Sequence, residues 1–251
     1  MYQRNKFLFE IIIITLLFII LGVAALGQMT AEEIIRRRDD NEYIHSAYAE
    51  AVMIINKGGR KVEKSMVMYS RGKDALIEFT NPADRGSKFL KREDNLWMFF
   101  PDAEDIVKIS GHMLKQGLMG SDFSYQDMME SDKLIDLYSF TLLEEDTLQE
   151  RPCYVLEAVV IPGEKVSYYK RVIWIDKERF VGLKEELYAE SGRLLKVSEV
   201  QELKEIDGRW LPVQYIMEDK LRKNTFTQFV ISKIELNIEL DDRIFSLQSL
   251  R

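Results

Sequence analysis

The 251-residue sequence is poor in the side chains that most active sites use: it has one cysteine, two histidines and five prolines. The lone Cys153 has no intrachain partner for a disulfide, and it lies in an apolar run that predicts a buried, inert thiol. His45 and His112 with one cysteine do not make a zinc site of ordinary ligand spacing. The sequence contains no Gly-x-Ser-x-Gly elbow and no glycine-rich phosphate loop. His112 has Ser110, Ser121 and Asp122 nearby, but Gly120-Ser-Asp122 is not a nucleophile elbow, so a polar helix-end contact is the expected role. Asp102-Ala-Glu-Asp105 lacks the alternating ligands and following glycine of a calcium loop. No enzymatic activity, metal or cofactor is expected. Positive charge is also in short supply: 35 basic residues face 42 acidic ones, a net charge of −7, which argues against a nucleic-acid partner.

What is present begins at the amino terminus. Arg4 and Lys6 precede an apolar run over residues 7–21, which ends in Gly22 and the small residues Ala24-Ala-Leu-Gly27. Basic, apolar and small-x-small segments in that order predict a signal peptide over residues 1–27, with a retained inner-membrane anchor as the alternative. Either way, the remainder is expected to work in the periplasm. No cysteine stands at the cleavage point to make a lipid-modified terminus. No Pro-, Gly- or Ser-rich linker, low-complexity tract or repeat divides residues 28–251, so one domain is expected there.

Thr30-Ala-Glu-Glu33 is a capping box that opens a helix with Ile34 and Ile35 on its inward stripe. Arg36-Arg-Arg38 is expected at a solvated helix end, where positive charge complements the dipole. The text then changes period. Alternating segments run over 48–56, 62–70, 75–80, 87–91, 96–100 and 105–109, and again over 138–143, 153–161, 169–176, 183–189, 194–202, 210–217 and 226–236. Turn signals such as Lys57-Gly-Gly-Arg60 and Asp207-Gly208 separate them. About a dozen strands at this spacing predict one large, curled antiparallel sheet.

Residues 110–129 interrupt the strands with short helical pieces, punctuated by Gly111, Gly117 and Gly120, and hold four of the eleven methionines. Asp122 or Ser124 is placed to cap a short helix through Met129. Leu96-Trp-Met-Phe-Phe100 is apolar on both faces of its strand, so something must cover the second face. Helices and neighbouring strands would make an ordinary core. The flexible methionines favour a cavity that repacks around an apolar ligand.

Phe79-Thr-Asn-Pro-Ala-Asp-Arg-Gly86, Leu96-Trp-Met-Phe-Phe-Pro101, Lys108-Ile-Ser-Gly-His-Met-Leu114, Met119-Gly-Ser-Asp-Phe-Ser-Tyr125 and Asp241-Asp-Arg-Ile-Phe245 resemble the outer-membrane lipoprotein-sorting family, the LolA-like group of periplasmic carriers. The resemblance implies a mainly β fold with a few short helices: an incomplete, strongly curved antiparallel barrel with a helical lid over a hydrophobic cavity. It implies acyl chains of a lipoprotein or lipid as ligand, with an inner-membrane transporter and an outer-membrane acceptor as partners. The Gly-His-Met and Gly-Ser-Asp-Phe motifs depart from the classical lipoprotein chaperone, which leaves lipid as well as lipoprotein open as cargo. The residues expected to line the cavity and lid are Ile77, Phe79, Trp97, Phe99, Met113, Leu118, Met119, Phe123 and Trp174. A second reading keeps the fold but makes it an envelope regulatory module that binds a membrane protein.

Overall fold

The computed structural model describes residues 29–130 and 133–251. The signal peptide expected over residues 1–27 lies outside them. Thirteen strands form one antiparallel sheet: β1 (Ser46–Lys57), β2 (Arg60–Arg71), β3 (Asp74–Phe79), β4 (Lys88–Arg92), β5 (Asn95–Phe100), β6 (Asp105–Ile109), β7 (Tyr138–Leu148), β8 (Arg151–Val160), β9 (Lys170–Asp176), β10 (Gly182–Tyr188), β11 (Leu194–Ile206), β12 (Arg209–Asp219) and β13 (Thr225–Leu236). Their spatial order is β6-β5-β4-β3-β2-β1-β13-β12-β11-β10-β9-β8-β7. Every step but one joins sequence neighbours, and β1 pairs with β13 to bring the two strand series together. The sheet does not close, because β6 and β7 remain as free edges.

Three short helices accompany the sheet among the described residues: α1 (Ala31–Glu42), α2 (Tyr125–Met129) and α3 (Leu134–Leu137). The two capping boxes follow from local chemistry. Thr30 accepts from the Glu33 N–H while Glu33 accepts from the Thr30 N–H, and Ser124 and Asp127 do the same for α2. Ile34 and Ile35 are fully buried against Tyr138, Leu156, Ile173 and Ile175, which fixes α1 on β7–β9. Burial of each isoleucine is worth about 2–3 kcal/mol.

Alternation decides which side chains meet. Ala47, Ala49, Ala51, Met53 and Ile55 of β1 share one face, and the register carries that face to Met66 and Met68 on β2, Ile77 and Phe79 on β3, and Phe229 on β13. This is the inner face. Over it lies a strap formed by the 3-10 turns Gly111–Lys115 and Leu118–Gly120 together with α2. Gly117 is required in the strap, since a Cβ there would sit 2.4 Å from the Ser121 carbonyl oxygen. Cys153 is free and fully buried, as expected, and burial pushes its thiol pKa up.

The two faces of β5 resolve the double apolarity of Leu96-Trp-Met-Phe-Phe100. Leu96 and Met98 enter the inner core, whereas Trp97 and Phe99 sit on the outer face with Leu76 and Leu90. Phe245 and Leu250, from the 3-10 turns Asp242–Phe245 and Leu247–Leu250, cover that outer cluster. The Arg71 guanidinium stacks over the Phe245 ring at 5.0 Å and donates to Leu240 O and Asp242 Oδ1, holding the cover in place.

Candidate functional site

A cavity of about 650 Å³ is bounded by α1, the strap and the inner face. Side chains from nine strands reach it, from Lys91 of β4 to Arg171 of β9, so the sheet must curl around this space. One end is apolar. Met53, Met66, Met68, Ile77, Phe229 and Ile231 come from the sheet, while Leu118, Phe123 and Met128 come down from the strap. Phe123, Tyr215 and Phe229 form an aromatic cluster with centroids 5.3–6.1 Å apart.

The other end is ionic. Glu185 of β10 accepts from Arg171 at 3.0 Å and pairs with Arg38 of α1 at 3.4 Å. Arg171 also donates to Glu130 at 2.7 Å and to the Tyr138 hydroxyl at 3.2 Å, and Arg38 pairs with Glu42 at 2.6 Å. Burial disfavours charge on both guanidiniums, but the surrounding carboxylates outweigh it and raise both pKa values. Burial pushes the Glu42 carboxyl up, against the opposing pull of Arg38 and the Gly182 N–H. The position of Arg38 corrects the expectation of a solvated helix end. α1 continues to Glu42, so Arg38 falls in mid-helix and turns inward with its side chain only 16% exposed.

The strap is pinned by polar contacts to the sheet and its connecting loops. Asp122, whose carboxylate is fully buried, accepts from Thr225 and Thr227 of β13 at 2.7 Å each, and its own N–H donates back to the Thr227 hydroxyl at 3.0 Å. Arg222 donates to the Ser121 carbonyl at 2.8 Å. Asp127 accepts from Lys196 of β11 at 2.6 Å and from the Tyr168 hydroxyl at 2.5 Å. Burial and then the Asp127 charge raise the Tyr168 phenol pKa far above its usual value, keeping it a donor. Glu130, the residue after α2, meets Arg171 as described. Of the two proposed capping residues, Ser124 caps α2 and Asp122 anchors the strap.

Of the residues expected at the cavity, Ile77, Leu118 and Phe123 line it. Phe79 is fully buried beside it, edge-on to Phe89 at 5.8 Å, and Met113 and Met119 pack on the same cluster from the strap. Met119 adopts a left-handed backbone (φ 49°), which few non-glycine residues do. Trp97 and Phe99 belong to the outer cluster described above. Trp174 lies on the face of β9 opposite Ile173, donating to Asp146 at 3.0 Å, with Lys184 4.1 Å from its ring centroid. The ionic end, with Arg38, Arg171 and Glu185, was not read from the sequence.

Fold and cavity together define a LolA-like architecture: mainly β, with an open antiparallel sheet wrapped around helices and a strap. Solved structures agree. A DUF1329 family protein from Desulfovibrio piger is 29% identical, with a TM-score of 0.81 over 88% of this chain and 98% of that one. A LolA superfamily protein from Nitrosomonas europaea is 26% identical, with a TM-score of 0.73 over 88% and 100%. An outer membrane lipoprotein-sorting protein domain from Vibrio parahaemolyticus, 24% identical, shares the fold with a TM-score of 0.78 over 88% and 97%. No curated protein matches the sequence. Residues 71–251 match the model of a family described as "Uncharacterized protein", and the chain belongs to that family.

Proposed function

We propose that the protein is a periplasmic carrier that encloses acyl chains of a lipid or lipoprotein and moves them between envelope membranes without catalysing a reaction. The observation that carries this reading is the apolar end of the cavity, walled by methionines and aromatics of the inner face and roofed by Leu118, Phe123 and Met128 of the strap. Solved relatives with this fold include proteins of the LolA superfamily and of outer membrane lipoprotein sorting, which supports the reading.

The energetics make such an enclosure useful. Each buried methylene is worth about 0.8 kcal/mol, so a chain of ~15 methylenes gains roughly 12 kcal/mol over water. A bilayer offers the same gain, so a carrier must nearly match it and still release its load. Methionine thioethers repack around different chain shapes at little cost. The ionic end keeps that part of the cavity polar, where the head of an amphiphile is accommodated.

The test is native mass spectrometry of the protein purified from a bacterial periplasm, followed by lipid extraction. A stoichiometric acyl-bearing adduct is expected. A protein that is empty and also refuses palmitate, phospholipid and acylated peptide would refute the carrier reading.

A further inference from the structure

At one end of the sheet the β1–β2 and β12–β13 turns lie side by side, and we infer that together they dock the protein on an anionic lipid bilayer. The Gly58 N–H donates to the Asn224 carbonyl at 2.9 Å, and Lys57 pairs in register with Thr225, so the two turns form one tip. The inference concerns the outside of the molecule and holds whatever the cavity carries.

The charge of this tip opposes that of the chain. Residues 57–64 and 218–226 hold seven basic and three acidic side chains, whereas the whole sequence has 35 basic against 42 acidic ones. Two of the three acids are engaged locally: Glu218 pairs with Lys220, and Asp219 accepts from the Leu221 N–H at 2.9 Å. Lys64 pairs with Asp84, and Arg222 turns to the strap. Lys57, Arg60, Lys61 and Lys223 are exposed and form no ion pair among the described residues. Clustered cations of this kind attract an anionic surface over about 8 Å at physiological ionic strength. The acidic β5–β6 turn, with Asp102, Glu104 and Asp105, is separated from β1 by β2, β3 and β4.

Apolar side chains share the tip. Val62 is 48% exposed, Leu221 50% and Phe226 37%, three of the eight large hydrophobic residues left exposed among the described residues. Val62 lies opposite Ile55 on the inner face, Phe226 opposite Asn56 on the outer face, and Leu221 stands in the turn between β12 and β13. Spread over both faces of the sheet, they offer a protein partner no single flat surface. Pushed end-on into a bilayer, they enter the headgroup boundary while the lysine and arginine heads stay among the phosphates. That geometry favours a bilayer over an acidic protein. The tip also adjoins the strap, since Arg222 donates to the Ser121 carbonyl at 2.8 Å. Met53 and Phe229, at the apolar end of the cavity, stand four residues along β1 and β13 from Lys57 and Thr225, about 13 Å of strand. Docking therefore sets the apolar end of the cavity nearest the membrane.

Flotation of the purified protein with vesicles tests the inference, using phosphatidylcholine alone and phosphatidylcholine with about one quarter phosphatidylglycerol. Binding to the anionic vesicles should be at least about tenfold tighter and should fall as NaCl rises from about 0.05 to about 0.5 M. Arg60→Glu with Lys61→Glu should weaken it at least about tenfold, and Leu221→Asp at least about fivefold. The same charge change at Arg36 and Arg92, two exposed arginines away from the tip, should weaken it less than about threefold. Palmitate affinity in solution, read by displacement of a fluorescent fatty acid, should be unchanged in all of these, and Met128→Asp at the cavity roof should float like the parent. Equal binding to both vesicles, an equal loss from the Arg36 and Arg92 changes, or loss of flotation in Met128→Asp would overturn the docking tip. A protein that takes palmitate but does not float with the anionic vesicles would overturn it too and leave the carrier intact, the tip then being a contact for an acidic protein. A protein that floats but refuses palmitate would overturn the carrier reading and support the docking surface.

Discussion

Replacing Thr227 with valine tests the strap anchor with almost no change in shape. Thr227 is fully buried, and its hydroxyl both donates to Asp122 Oδ2 at 2.7 Å and accepts from the Asp122 N–H at 3.0 Å. Valine removes both contacts and leaves a buried carboxylate one partner short and a backbone N–H with none. A hydrogen bond to a charged group contributes about 1.5–3 kcal/mol, and an orphaned buried donor costs about 1–3 kcal/mol. Because Thr225 and Arg222 stay near Asp122, the expected loss is about 3 kcal/mol, near the lower end of the two combined. In a chain of this size that corresponds to a fall in Tm of roughly 6–12 °C. Urea unfolding of Thr227→Val beside the parent protein gives the number, with m unchanged if the unfolded state is the same. Hydrogen exchange should localise the loosening to the strap, with the Leu118 and Ser121 amides exchanging faster than those of β4 and β5. A loss below about 1 kcal/mol, or faster exchange spread evenly over the molecule, would refute the anchor.

Three further outcomes follow from the same geometry. Met128→Asp places a carboxylate on the cavity roof and should lower palmitate affinity at least about tenfold while changing stability little, as a displacement assay beside a melting curve would show. Trp97→Ala should do the reverse, costing about 2–3 kcal/mol in urea unfolding because it hollows the outer cluster under Phe245 and Leu250, with acyl binding unchanged. Burial works against ionisation of Asp176, yet the N–H groups of Arg179 and Glu178 and the Arg151 guanidinium outweigh it and hold its pKa below the ordinary 3.8. A lowered folded pKa means stabilisation that is fully present above about pH 4 and is lost as pH falls through the folded value, so Asp176→Asn should be destabilised at neutral pH and should flatten the acid limb of a Tm-against-pH curve below pH 4.

The sheet was legible because alternation survives in many strands, and because turns such as Lys57-Gly-Gly-Arg60 supply the two positive-φ residues that a tight hairpin needs. The capping box at Thr30 was legible because it depends on four consecutive residues, whereas Ser124 was only one of two candidate caps for α2. Long-range pairing was harder to read. Arg38 looks like its neighbours Arg36 and Arg37, and only the docking of Ile34 and Ile35 on β7–β9 rotates it inward. Arg171, Glu185 and Lys196 share a strand face with Ile173, Leu187 and Val200, so alternation points them inward while their charge points to solvent. Their burial follows from the curl of the sheet, a property of all thirteen strands together. Trp97 and Phe99 could be assigned to one face as a pair, but which face carried the cavity depended on the two 3-10 turns ending at Leu250, whose sequence bears no strong periodic signal.

A carrier of this kind holds an acyl chain in the inner cavity. Crystals grown with 16-bromopalmitate and measured at the bromine edge test it most directly. An anomalous peak is expected at the apolar end, against Met53, Phe123 and Phe229, with the carboxylate toward Arg38 and Lys133. Bromine on the outer face near Trp97, or none in a protein shown to be saturated with the ligand, would contradict it.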